Sequence, residues 1–218
     1  MIVLFVCLLT ARQTAHARYT KVMVPASESH VSKKGKKQVI IYAGDSRTMM
    51  LTYGSAGKAR SRSAFCWVNG GGVSVINKGG SLESRLAAMI ARYRDNCVVI
   101  LNFGVNGNSN PEKNARRIIR IYRRWMKKYP DVSFYVMSLN PSGHTRGSYS
   151  NQKIKRTNAV LKEAFEGTGQ YLDCYSYLLE KDIVSTGGKG MMDNLHYRPF
   201  VCRAIMKFVK KSLAAAGS

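Results

Sequence analysis

The stretch VIIYAGDSRTMML, residues 39–51, runs apolar and β-branched from Val39 to Tyr42, stops at Ala43 and Gly44, and then sets Asp45, Ser46 and Arg47 side by side before turning apolar again. A short apolar run of β-branched residues that stops at glycine has the composition of a strand buried on both faces. In open α/β sheets, ligands bind outside the carboxyl ends of the strands. Ser46 stands just past such an end, between an acid and a base.

Working outward, four more runs share this character: GVSVIN (72–77), CVVILNFG (97–104), VSFYVMSLN (132–140) and QYLDCY (170–175), each bounded by Gly, Asn or Asp. Helical patterns fill 81–94, 111–129, 151–167 and 199–216. In the second of these, Ala115, Ile118, Ile119, Tyr122, Trp125 and Met126 recur at helical spacing while Arg and Lys occupy the other face. Asn110 and Pro111 supply its cap and first turn. Strands that alternate with helices of this length predict a parallel sheet covered on both faces, an α/β protein of three layers.

The chain has 218 residues, enough for one domain with a real core, and carries 35 Lys and Arg against 12 Asp and Glu, a net charge of +23. That imbalance predicts attraction to polyanions without saying which. The opening MIVLFVCLLTA is too short to span a bilayer and has the length of a secretory apolar core, with AHA at 15–17 as a cleavage site after Ala17. The expected organisation is a signal peptide over 1–17, a basic flexible tether over 18–37 and one domain over 38–215, in a secreted or surface-associated protein. Cys66, Cys97, Cys174 and Cys202 contain no CxxC pair, which argues against a zinc site. Each sits in or beside an apolar segment and reads as a buried free thiol.

A serine hydroxyl becomes a useful nucleophile when a histidine, held by a carboxylate, takes its proton. Two histidines fall inside the domain, His144 and His196. His196 lies three residues after Asp193 in MMDNLHYRPF, a spacing that lets the carboxylate reach the ring within one turn of chain. His144, in NPSGHTRG, has no acid nearby and reads as a loop or substrate-contact residue. After the third strand, Gly104-Val105-Asn106 would deliver a side-chain amide donor to the same edge as Ser46. After the second, Gly79 and Gly80 free backbone N–H groups close to a helix start.

In order and spacing, these four pieces resemble the SGNH (GDSL-like) hydrolases, whose motifs are Gly-Asp-Ser, a glycine, Gly-x-Asn and Asp-x-x-His; the match covers about residues 38–215. The resemblance implies a flavodoxin-like α/β/α sandwich with five parallel strands, and no cofactor or metal. It further implies Ser46 as nucleophile, His196 as general base and acid, and Asp193 as its orienting partner. The oxyanion donors would be the Ser46 N–H, the Gly80 N–H and the Asn106 side chain. Asp45 would be a structural acid. The chain departs from the family pattern at Arg47, where Leu is usual, at Gly107, where Asp is common, and at Leu82, where many relatives carry a second glycine. The last leaves Ser81 and Leu82 open beside Gly80 as the backbone donor.

The expected activity is that of an exported serine esterase removing small acyl groups, such as O-acetyl, from a carbohydrate or cell-envelope substrate. The alternatives are O-acyl transfer on the same scaffold, and a polyanion-binding protein on a degenerate hydrolase site with RRIIRIYRRWMKK as its basic face. Expected partners are an ester-bearing small molecule or acetylated polysaccharide, with electrostatic contact to anionic envelope polymer. The sequence contains no recognisable nucleic-acid motif.

Overall fold

The computed structural model describes residues 22–23, 38–54, 63–68, 82–93, 96–185 and 188–216. The strands are β1 (Val22–Met23), β2 (Val39–Gly44), β3 (Ser63–Trp67), β4 (Cys97–Asn102), β5 (Ser133–Met137), β6 (Tyr171–Leu172), β7 (Met191–Asp193) and β8 (His196–Tyr197). The helices are α1 (Ser46–Gly54), α2 (Leu82–Tyr93), α3 (Pro111–Lys128), α4 (Asn151–Phe165), α5 (Cys174–Glu180) and α6 (Pro199–Ala216).

Five strands are parallel in the order β3-β2-β4-β5-β6. Numbered among themselves along the chain, they run 2-1-3-4-5, the flavodoxin-like doubly wound order. β1, from the 18–37 segment, pairs antiparallel with β3 at the edge. β7 and β8 form a separate two-stranded ribbon.

Side chains alternate across the sheet and divide the core in two. Ile41, Ala43, Val99, Leu101, Phe134 and Val136 pack with α2, α3 and α4 on one face. Ile40, Tyr42, Phe65, Trp67, Val98 and Ile100 pack with α1, α5 and α6 on the other. With both faces covered, the strands are nearly all apolar, as the reading of 39–44 and 97–102 predicted. α3 follows its expected bounds: the Asn110 side chain accepts from Lys113 N–H, Pro111 opens the first turn, and Trp125 on the inner face is fully buried. Cys66, Cys97, Cys174 and Cys202 are buried free thiols.

Among the elements the sequence reading passed over are the sheet strand β3 and the helices α5 and α1. The partner of β2 on the outer side is β3, SAFCW, whose five residues are all buried; GVSVIN lies outside the described residues. Small Ser, Ala and Cys dilute the β signal of β3, and long-range pairing rather than propensity makes it a strand. QYLDCY is a strand only over Tyr171–Leu172, because Asp173 accepts from Ser176 N–H and caps α5. The third miss is α1, nine residues with too little amphipathic pattern to announce a helix.

Gly44 is where strand gives way to the serine turn. A Cβ there would lie 2.0 Å from the Asn102 carbonyl oxygen and 2.2 Å from Thr48 Oγ1. The Asn102 backbone belongs to the register partner of Gly44 on β4 and cannot swing aside. Gly44→Ala is therefore expected to lower stability by about 1–3 kcal/mol, read as a lower midpoint of thermal unfolding. An unchanged midpoint would show that the β2–α1 turn yields without cost.

Candidate active site

Ser46 opens α1 directly after β2, half-buried at the carboxyl edge of the sheet. As the first helical residue it has a backbone N–H without an intrahelical acceptor. Asp45, buried, holds the turn. Its Oδ1 accepts from Arg47 N–H at 3.0 Å, and the backbone N–H groups of Gly104 and Val105 also bond its carboxylate. Burial raises the Asp45 pKa, while the Arg47 guanidinium and those three N–H groups act against the rise. The carboxylate thus faces backbone amides and joins the serine turn to the loop after β4.

That loop carries Asn106. Gly104, at φ 130°, occupies backbone space that favours glycine, and a Cβ there would meet Ile118 Cδ1 at 2.3 Å. The Asn114 side chain donates to the Gly104 carbonyl at 2.9 Å, and Asn108 Oδ1 accepts from Thr157 Oγ1 at 2.9 Å. Asn106 is buried, and its Oδ1 accepts from the Tyr149 hydroxyl at 3.3 Å. Its Nδ2 is buried with no hydrogen-bond partner among the described residues. A buried amide donor left unpaired is costly, and such groups gather where a ligand supplies the missing acceptor.

The histidine comes from the β7–β8 ribbon. His196 Nε2 lies 3.0 Å from Ser46 Oγ, across 150 residues of chain. His196 Nδ1 lies 2.9 Å from Asp193 Oδ2 and 3.1 Å from Oδ1. Asp193 Oδ1 also accepts from the backbone N–H of His196 at 2.7 Å and of Leu195 at 3.0 Å. What burial Asp193 has works against ionisation, but the His196 ring and these two N–H groups outweigh it and hold the carboxyl down at about 2. An ionised Asp193 accepting from Nδ1–H leaves Nε2 as acceptor for the Ser46 hydroxyl.

The structure brings Ser46, Asp193 and His196 into one hydrogen-bonded chain and ties the Asn106 loop to the same turn through Asp45. Gly80 lies outside the described residues, as does Ser81. His144 does not join the chain: its ring lies 5.4 Å from that of Tyr149 and its N–H donates to Ser142 Oγ. Ser142 Oγ in turn donates to the Asn194 carbonyl, and Gly143 N–H does the same at 2.8 Å. The 141–150 loop is thereby fastened to the ribbon between Asp193 and His196.

Arg47 is the residue whose part the sequence reading missed. It is only 3% exposed, and its guanidinium donates to the carbonyls of Leu195 (3.1 Å), Asn140 (2.7 Å) and Pro141 (3.3 Å) while lying over the Tyr197 ring. The residue next to Ser46 therefore anchors the segment that carries His196. A lone charge in a helix of otherwise apolar and hydroxyl residues was the available signal. Arg47→Leu removes all three donors. It is expected to cost about 1–3 kcal/mol and to speed amide hydrogen exchange at Leu195 and His196. Unchanged stability together with unchanged protection there would contradict the anchoring role.

No family model matches the chain, and no curated protein matches its sequence. Solved structures do match its fold. A lipase/acylhydrolase from Enterococcus faecalis superposes with a TM-score of 0.60 at 14% identity, over 82% of this chain and 96% of the other. An acetylxylan esterase from Geobacillus stearothermophilus gives 0.55 at 13% identity, over 83% and 96%. The C-terminal catalytic domain of a peptidoglycan O-acetyltransferase from Streptococcus pneumoniae gives 0.55 at 14% identity, over 83% and 95%. At such identities the likeness is one of architecture, the three-layer α/β/α sandwich that this chain shares with these structures.

Proposed function

We propose that the protein is a serine esterase that removes small acyl groups, O-acetyl among them, from a carbohydrate substrate. The observation that carries this reading is the unbroken hydrogen-bonded chain from Asp193 through His196 to Ser46. Ser46 Oγ attacks the ester carbonyl as its proton passes to His196 Nε2. Asp193 holds the ring and stabilises the imidazolium that forms. Negative charge on the carbonyl oxygen is met by the Ser46 N–H and the Asn106 Nδ2, with the Gly80 N–H as third donor. The C–O bond to the alcohol breaks, His196 protonates the departing alcohol, and Ser46 remains acylated. Water then attacks the acyl-serine with His196 again as base, releasing the acid and restoring the hydroxyl.

If a sugar hydroxyl intercepts the acyl-serine in place of water, the acyl group is transferred rather than released. The likeness to an O-acetyltransferase catalytic domain supports this second reading, and two acetylxylan esterases among the fold neighbours support acetylated carbohydrate as substrate. The apolar run at 1–11 and the AHA at 15–17 support export.

With p-nitrophenyl acetate as substrate, Ser46→Ala is expected to lower kcat by about 10³-fold or more. Undiminished turnover in that variant would remove Ser46 from the mechanism. Asp193, held at about 2 against an ordinary 3.8, is ionised in the folded protein throughout the range above about pH 3. The stability gained from this depressed pKa is present above the ordinary value and is lost as pH falls through about 2. Asp193→Asn is accordingly expected to lower kcat by about 10³–10⁴-fold across that range. A loss confined to low pH would contradict the orienting role. Tyr149→Phe frees Asn106 Oδ1 and is expected to lower kcat about tenfold with little change in KM. In an Asn106→Ala background the same change should have no effect; an equal loss in both backgrounds would place Tyr149 elsewhere in the reaction.

A further inference from the structure

A groove of about 830 Å³ runs between α3 and α4. Five cations line it: Lys113, Arg116, Arg117, Arg120 and Arg123. They recur at intervals of one or three residues over ten steps of helix, about 15 Å, giving one positive group for about every 4 Å of rise. Among the described residues Glu163 is the one acid in the lining, so these residues leave four positive charges in excess.

Acids near α3 are engaged at its ends. Glu112 pairs with Arg156 at 2.7 Å, and Glu83 with Arg124 at 2.6 Å. Arg123 lies over the Phe165 ring and donates to the Ala164 carbonyl, which fixes one wall. Lys113, Arg116, Arg117 and Arg120 are exposed, and none forms an ion pair among the described residues. The aliphatic part of the lining is made by Ile119, Val160 and Ala164.

We infer that this groove binds a linear, carboxylate-bearing polysaccharide. Guanidinium groups pair with carboxylates through two parallel N–H···O bonds, and a row of them suits a chain that presents acids at intervals. The aliphatic part of the lining suits the C–H faces of sugar rings. Other polyanions fit less well. Single-stranded nucleic acid is bound on exposed aromatic platforms, and among the described residues no aromatic side chain lines the groove. A lipid surface is entered by projecting large apolar side chains; among the described residues these are Tyr53, Met192 and Phe200, none of them on α3 or α4. The inference is independent of the ester chemistry, since binding is measured without turnover. If both readings hold, the groove retains an acidic polymer while its ester groups reach Ser46, which raises their effective concentration.

The test is equilibrium binding of fluorescently labelled polygalacturonate to the full chain at 0.15 M salt. It compares wild type with two triple variants that remove the same net charge: Arg116→Gln/Arg117→Gln/Arg120→Gln in the groove, and Lys207→Gln/Lys210→Gln/Lys211→Gln on the exposed face of α6. Exposed charge pairs are individually weak, so the groove variant is expected to lose about tenfold in affinity and the α6 variant about twofold or less. Turnover of p-nitrophenyl acetate and the unfolding midpoint should be unaltered in both. Equal losses in the two variants would overturn the inference, because net charge alone would then explain binding. Tighter groove-dependent binding of an oligothymidylate, polyglutamate or phosphatidylglycerol vesicles than of polygalacturonate would overturn it as well.

Discussion

The site depends on one buried cation. Arg47, in the first turn of α1, donates to the backbone carbonyls of Asn140, Pro141 and Leu195, which belong to two segments distant in sequence. A guanidinium out of water must be fully satisfied, and a buried charge deprived of partners is strongly destabilising. Arg47 thereby ties the serine turn, the loop after β5 and the β7–β8 ribbon to one another. Tyr197 completes the joint: its ring lies beneath the guanidinium and its hydroxyl donates to the Pro141 carbonyl at 2.5 Å.

Two aspartates near Ser46 illustrate how surroundings divide similar groups between tasks. Asp45 is adjacent to the serine in sequence but turned inward, its pKa raised by burial and its oxygens given to backbone N–H groups of the two loops it joins. Asp193 is remote in sequence and largely exposed, yet its pKa is lowered by His196 and the neighbouring amides. The first holds loops in place. The second stays charged beside an imidazole, where a fixed negative charge orients the ring.

Charge and chemistry also fall on different elements of the fold. The hydrogen-bonded serine and histidine lie at the carboxyl edge of the sheet, where loops can be shaped without disturbing the strands. The excess of Lys and Arg along α3 lies on a helix whose opposite side buries Ile118, Tyr122 and Trp125. A single helix thus closes the core on one side and gives solvent a cationic wall on the other, because its 3.6-residue period keeps the two sets of side chains apart.

Much of this was legible in the residues. Strands buried on both faces leave continuous apolar runs, and long helices leave a stripe; β2, β4, β5, α2, α3, α4 and α6 could be read for that reason. The order Gly44-Asp45-Ser46, Gly104-Val105-Asn106 and Asp193-to-His196 marked the strand ends worth inspecting, since each motif is local. What tertiary structure alone decided are relations between segments far apart in the chain. β3 is a strand because β2 pairs with it, Tyr149 matters because its hydroxyl meets Asn106, and Arg47 belongs inside because three carbonyls from elsewhere surround it. Local sequence records propensity and period, whereas pairing and the satisfaction of buried polar groups depend on partners that only the folded chain brings near.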